Sequence, residues 1–415
     1  MGRKKGILII CNLDTRGEDI QMVKEIIEDK GHRAILLDFS MEEPPPFPGD
    51  ITCEEVAKRG GLPIEKVREY YRVNRDAATE NQIKGAVAVA QDLMDKGEID
   101  GAFGVGGGTA TLVATSVMKK LPFGMPKVMA SPMAAHPRYV GQYVGTRDLT
   151  MHHTVLDVVK MNPLLKAQIT NAVGAICGMV EVTEGPHISF DKPVVAITSF
   201  GPAEMCVQTA LGLLEDAGFV PVPCHAQGRG DRAMEDMIRD GLFHGVVDVV
   251  TAGIVEYLFD GNRNPGPDRL MAASEAGIPQ VLAPCGLDHL SYGSRKDKEE
   301  IIKSRPHFVM DELRIQVRTT AEELVQAADV IAERLNNARG PFKFLIPLKG
   351  WSSIDMKGRP CYDLEADRAF TARLKEKIAK KEAVEEVDLH LYTPEFAKKM
   401  VDEFKKIFEE HKRSS

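Results

Sequence analysis

The stretch Gly104-Val-Gly-Gly-Gly-Thr-Ala-Thr111 constrains this chain more than any other. It follows a strand-like run, Ile99–Phe103, and leads into an apolar helical run from Leu112. Three consecutive glycines leave the backbone uncovered, so its N–H groups can approach a ligand where the next helix presents its positive end. The spacing matches neither familiar phosphate motif. A P-loop needs Gly-Lys-Ser/Thr, and here Thr109 follows Gly108 directly. A dinucleotide fingerprint needs a third glycine where Thr109 stands. The plain alternative is a tight strand-to-helix turn that binds nothing.

Strand and helix signals alternate around this turn. Gly6–Cys11 reads as a buried strand, Gly17–Lys30 as a helix and His32–Asp38 as a second strand. Helical stretches follow near Cys53–Val73 and Ala77–Lys96, then a strand at Lys127–Ala130 and a helix at Leu164–Val182. Such alternation implies a parallel sheet covered on both faces. Periodicity lapses over Glu181–Pro193, where Gly-Pro and Lys-Pro mark a linker, and then restarts. Val194–Ser199 reads as a strand, Ala203–Ala217 as a helix and Gly218–Pro223 as a strand. Further on come a helix at Thr320–Ala338, a strand at Phe342–Pro347, a helix at Leu364–Lys380, a strand at Ala383–Leu391 and a charged amphipathic helix at Pro394–Glu410. With 415 residues, one core is too small a container. The expectation is α/β: two Rossmann-like, doubly wound domains with mainly parallel sheets, residues 1–185 and 193–415, and a ligand cleft between them. Glu28-Asp-Lys-Gly in the first half and Glu215-Asp-Ala-Gly in the second each precede a strand, a weak internal echo.

Composition narrows the class. A net charge of −8 argues against nucleic acid as the main partner. No apolar stretch approaches the ~20 residues of a membrane span, and the basic N-terminus meets too short an apolar run for a signal peptide. The seven cysteines are dispersed without a Cys-x-x-Cys pair, as in reduced cytosolic proteins. A cytoplasmic protein is expected.

In parallel α/β sheets, polar residues just beyond strand ends face the ligand crevice. Cys11-Asn-Leu-Asp-Thr-Arg-Gly-Glu18 offers Asp14 and Thr15, as ligand contacts or helix caps. Tyr139–Asp148 ends in Gly145-Thr-Arg-Asp148, suited to an anion through Thr146 and Arg147 or to an internal Arg147–Asp148 network. Cys224–Asp231 repeats the glycine-plus-cation theme with His225 and Arg229, and Ala283–His289 brings Cys285, Asp288 and His289. A Cys–His or Asp–His catalytic pair is available there, although a lone Cys is more often a small buried residue. Adjacent His152 and His153 cannot share a helix face and do not read as a zinc pair.

Taken together and in order, Asn12-Leu-Asp-Thr-Arg-Gly-Glu18, Gly104–Ala110, Tyr143-Val-Gly-Thr-Arg-Asp-Leu-Thr-Met151, Asn171–Met179, His225–Glu235 and Gly266-Pro-Asp-Arg-Leu270 resemble the bacterial and plant family related to the N-terminal domain of the tomato mosaic virus resistance protein. The resemblance spans about Gly6 to Lys405. It implies paired Rossmann-like domains with ATP near the glycine turn, surrounded by Asp14, Thr15, Gly106, Gly107, Gly108, Thr109, Thr111, Gly145, Thr146, Arg147 and Asp148. It supplies no reaction. The expected function is a cytosolic ATP-binding protein, with or without Mg2+, that acts as a nucleotide-dependent metabolic enzyme. His225, Arg229, Asp288 and His289 would line its small-molecule pocket, and a homo-oligomer is expected. The rivals are a non-catalytic, ATP-stabilised interaction module and a metal-dependent hydrolase.

Overall fold

The computed structural model describes residues 3–183 and 190–414, and the chain divides into two compact units, Met1–Ser189 and Phe190–Ser415. The centre of the sequence-derived linker, residues 184–189, lies outside the described residues.

The first unit runs β1 (Gly6–Cys11), α1 (Leu13–Asp29), β2 (Arg33–Asp38), α2 (Cys53–Gly60), α3 (Ile64–Val73), α4 (Arg75–Asp95), β3 (Gly101–Val105), α5 (Gly108–Met118), β4 (Lys127–Ser131), α6 (Val140–Val144), β5 (Thr150–His153) and α7 (Pro163–Val182). Its sheet has the order β2-β1-β3-β4-β5, with every pair parallel. Side chains alternate across it as strand geometry requires. Ile7 and Ile9 of β1 face a core with α1 and α7, whereas Leu8 and Ile10 face α2, α4 and α5. Helices on both faces explain why β1, β3 and β4 are buried at every position. The helical stretch over Cys53–Val73 is two helices, because Gly61 takes φ 110° as the cap of α2 and Pro63 precedes α3.

The second unit runs β6 (Val194–Ser199), α8 (Glu204–Asp216), β7 (Val220–His225), α9 (Arg229–Arg239), β8 (Gly245–Asp248), α10 (Gly253–Leu258), α11 (Ala272–Ala276), β9 (Gln280–Leu282), β10 (His289–Ser291), α12 (Glu299–Ser304), β11 (His307–Asp311), β12 (Arg314–Arg318), α13 (Ala321–Asn336), β13 (Phe342–Pro347), α14 (Leu364–Lys377), β14 (Val384–Val387) and α15 (Pro394–Ser414). Six strands form a parallel sheet in the order β14-β13-β9-β8-β6-β7. Val195, Ile197, Val247 and Leu345 meet α8 and α15 on one face. Phe344 and Leu282 meet α13 and α14 on the other. A small antiparallel sheet, β10-β12-β11, is inserted after β9; the sequence reading had no such element. The strand expected over Ala383–Leu391 shortens to β14, since pairing with β13 ends at Val387. The protein is thus α/β with two mainly parallel sheets.

Candidate functional site

Both sheets share one topological feature. The chain steps from β1 to β2 on one side and then crosses to β3 on the other, and β6, β7 and β8 repeat the pattern. At such a switch point the loops diverge and leave a crevice beyond the carboxyl ends of the strands, where open α/β sheets bind ligands.

In the first unit the crevice is a notch of about 70 Å3 lined by Asn12, Asp14, Thr15, Phe39, Met41, Glu42, Tyr71, Thr109 and Ala110. Two helices point their N-termini at it, and they differ. The first amides of α1 are spent on protein groups: the Leu13 N–H donates to Asp38 Oδ1 at 3.1 Å and the Asp14 N–H to Ser40 Oγ at 3.0 Å. The Asp14 carboxylate in turn accepts from the backbone N–H of Met41 (3.2 Å) and Glu42 (2.9 Å) through Oδ2, pinning the loop after β2; its Oδ1 is buried without a partner. Thr15 is exposed and its hydroxyl accepts from the Asn12 side chain. Burial raises the Asp38 carboxyl, against the lowering effect of its hydrogen bonds from Ser40 and Leu13.

Helix α5 is different. Its cap residue is Gly107, with no side-chain cap and no acidic residue in the first turn. A side chain at Gly107 or Gly108 would meet open space. Gly106 has the opposite character. Its φ is 147° and a Cβ there would stand 2.6 Å from that of Ala110, so only glycine lets the strand turn into the helix at this point. The helix begins at Gly108, four residues earlier than the apolar run suggested, because Thr109, Ala110 and Thr111 already follow helical geometry.

The structure brings Asp14, Thr15 and the Gly106–Thr109 turn together and separates the other expected nucleotide contacts from them. Thr111 is buried. Its hydroxyl bonds the Gly107 carbonyl at 2.8 Å and Ser131 Oγ at 2.7 Å, tying the turn to β4, so it is a brace and not a ligand donor. Gly145, Thr146, Arg147 and Asp148 precede β5, at the amino ends of the strands and hence the opposite end of the sheet. Asp148 accepts from the buried Lys127 ammonium at 2.8 Å and from the Gly124 N–H at 2.6 Å. The short helix α6 carries the chain back across the sheet, a crossing that motif spacing does not reveal. The notch residues missed by the sequence reading are Phe39, Met41, Glu42 and Tyr71. An acidic residue shortly after the second strand is the one signal that pointed to them.

In the second unit the corresponding region is packed with charge. Asp248, at the end of β8, accepts from Thr198 Oγ1 (2.8 Å) and Arg269 Nη2 (2.7 Å). Arg269 also reaches Glu235 at 3.1 Å and Asp231 at 3.7 Å, and all four are buried. Burial pushes Asp231 up to about 7 in spite of the guanidinium beside it. Further along the sheet edge, Asp288 Oδ2 accepts from His289 Nδ1 at 2.8 Å and Ser352 Oγ at 2.7 Å, and its Oδ1 takes the Gly286 N–H at 3.0 Å. His289 and these donors hold the Asp288 carboxyl well below its usual range, outweighing its complete burial. Asp355 accepts from the Trp351 N–H at 2.8 Å, yet burial and the neighbouring Asp367 and Asp288 push it up to about 9.

The four expected pocket residues of this unit separate into two pairs. Asp288 and His289 form a buried dyad. His225 ends β7 and Arg229 starts α9, and both are exposed where Asp288 and His289 are not. Cys285 is buried, and its thiol is raised well above its ordinary value by burial first and Asp288 second, the environment of a small buried residue. Among the described residues no group of three or more His, Cys, Asp or Glu side chains is arranged to hold a metal ion, and no helix is long and apolar enough to cross a membrane.

These features define a class: an α/β protein of two doubly wound units, each with a topological switch point in its parallel sheet. The chain belongs to the uncharacterised protein family UPF0261, whose N-terminal domain matches residues 5–185 and whose C-terminal domain matches residues 192–408. It is 36% identical to a UPF0261 protein of Clostridium tetani, over 95% of this chain and 96% of that one. A UPF0261 protein of Rhizobium meliloti is 30% identical over 97% and 99%. The ToMV resistance protein Tm-1 of Solanum lycopersicum is 32% identical over 75% of this chain and 42% of its own length. Among solved structures, the glycosyltransferase SnogD from Streptomyces nogalater aligns over 96% of this chain and 99% of its own at 13% identity, with a TM-score of 0.20; a likeness of that size carries no argument.

Proposed function

We propose that the first unit binds an adenine nucleotide, ATP with or without Mg2+, and that the protein is a nucleotide-dependent metabolic enzyme. The observation that carries this reading is the contrast between two helix N-termini at one switch point. The amides of α1 are consumed by Asp38 and Ser40, while α5 opens on bare glycines with no capping side chain. Uncapped amides beside a helix dipole favour phosphate. Glu42, on the loop after β2, stands where an acidic residue accepts from ribose hydroxyls in dinucleotide folds. Phe39, Met41 and Tyr71 supply apolar walls for a base. The lining side chains that carry charge, Asp14 and Glu42, are both acidic, so the phosphates belong on the amides of Gly107–Thr109 and away from Asp14. The free Oδ1 of Asp14 suits a hydroxyl or a Mg2+-bound water.

Calorimetric titration of the intact protein with ATP and with GTP, each with Mg2+, tests the reading. Saturable heat with ATP and a matching thermal shift are expected. Absence of both at about 5 mM ATP, some thousandfold above a micromolar Kd, would overturn it. Similarity to a plant resistance protein over three quarters of the chain favours one rival, a non-catalytic module that ATP stabilises. A large thermal shift with no ADP or AMP formed on long incubation would select that rival.

A further inference from the structure

Two buried donor or acceptor atoms in the second unit have no partner and rest against one aromatic ring. His289 and Arg263 both pack on Phe200, the residue after β6. The imidazole stacks on it with centroids 5.6 Å apart at 22°, and the guanidinium carbon lies 4.6 Å from the ring centroid. His289 Nε2 and Arg263 Nη1 are buried and unpartnered, with the residues 0% and 4% exposed.

The rest of each side chain is held by partners that determine what the bare atom is. Asp288 Oδ2 accepts from His289 Nδ1, so the ring bears a proton there, and in the neutral ring Nε2 presents the lone pair. Ser352 must likewise donate to Asp288, and it accepts from the N–H of Ile354 and Asp355 in turn. Arg263 gives Nε and Nη2 to Glu256 Oε1, and Glu256 takes the Arg263 and Ser291 backbone N–H groups as well. Arg263 Nη2 also reaches the His289 carbonyl at 3.4 Å. An unmade bond on a buried polar atom costs about 1–3 kcal/mol. Here two networks, joined by that Arg263–His289 contact, each leave open one atom, on side chains that pack against the same ring.

We propose that His289 and Arg263 form an acid–base site that takes a small molecule with an enolisable carbonyl group. His289 Nε2 removes a proton from the carbon next to the carbonyl. The C–H electron pair forms the C=C bond, and the carbonyl pair moves to oxygen as an enolate that Arg263 Nη1 holds. Asp288 stays ionised beside the imidazolium. The reverse step returns a proton to carbon, so the exchange balances without a co-reactant. Asp288 and Ser352 are positioning residues.

The test is exchange of carbon-bound hydrogen in D2O, followed by proton NMR with pyruvate and 2-oxobutyrate as probes and the full chain as catalyst. Exchange at least tenfold above the protein-free rate is expected, falling to that rate in His289→Asn and by tenfold or more in Arg263→Lys. Asp288→Asn lowers the rate while leaving the probe concentration at half-saturation within about twofold. Exchange at the protein-free rate with folded wild type, or undiminished in His289→Asn, overturns the proposal. Since His289→Asn can unfold the unit, nitrogen NMR of histidine-labelled wild type gives a second check. A proton on Nε2, or a ring signal that neither probe moves, is also fatal. The assay contains no nucleotide, so its failure leaves the ATP reading intact.

Discussion

The two units share a strand order through their first five strands, 2-1-3-4-5 in local numbering, and use its switch point in opposite ways. In the first unit the crevice is open, floored by Asp14 and Glu42 and headed by uncapped glycine amides. In the second unit the same region is packed with buried charge, with Asp231, Glu235, Asp248 and Arg269 in one cluster and Asp288, His289, Ser352, Asp355, Arg318 and Asp367 in another. Topology therefore sets where loops diverge, and the residue types delivered there decide whether the place is a notch or an ionic core.

The sharpest way to break the comparison is to remove the cation at the centre of the second unit. Arg269→Met leaves three buried carboxylates without their guanidinium, and a loss of about 3–5 kcal/mol is expected. Urea denaturation at pH 7 measures it. A loss below about 1 kcal/mol would mean that the cluster is wetter and weaker than its burial indicates.

In the first unit, Gly107→Asp should uncouple stability from binding. Gly107 has the extended φ and ψ of a cap residue and open space around it. A carboxylate there would cap α5, raising stability by a few tenths of a kcal/mol, while blocking phosphate and weakening ATP binding by about a hundredfold or more. Equal ATP affinity in this variant would remove α5 from the site.

The ionic core also gives the second unit a pH signature. Asp231 is raised from an ordinary value near 4 to about 7, so the folded state holds its proton more tightly than the unfolded chain. The stabilisation is complete below about pH 4 and is lost as pH climbs to about 7. Asp231→Asn should flatten this decline and be more stable than wild type at pH 8, by on the order of 2 kcal/mol. Asp288 works in the other direction: its carboxyl is lowered, so its contribution is present above about pH 4 and disappears in acid. Thermal unfolding of wild type and variant from about pH 2 to 8 separates the two.

The smallest effect belongs to the misplaced anion turn. Asp148→Asn weakens the pair with buried Lys127 but leaves its contacts to the carbonyls of Pro122 and Met125. A cost of about 1 kcal/mol is expected, with ATP affinity changed by less than twofold. A tenfold loss of affinity would return the Gly145–Asp148 turn to the nucleotide.

Sequence periodicity by itself determined the α/β class and most elements, because a strand buried on both faces and a helix buried on one leave different apolar spacings along the chain. It also singled out the glycine turn, whose physical content is local: missing Cβ atoms followed by a helix start. Tertiary structure alone decided what lies beside that turn. Gly145–Asp148 and Gly106–Thr109 look equally suited to an anion in one dimension, and only the crossover through α6 sends one to each end of the sheet. Asp288 and His289 are visible in sequence as polar residues after a strand. That Ser352 would anchor the dyad from 64 positions away, and that Arg263 would meet it over Phe200, depends on long-range packing with no local trace. Residues brought together by the return of the chain share no periodicity, so a single sequence names the candidates while the fold selects among them.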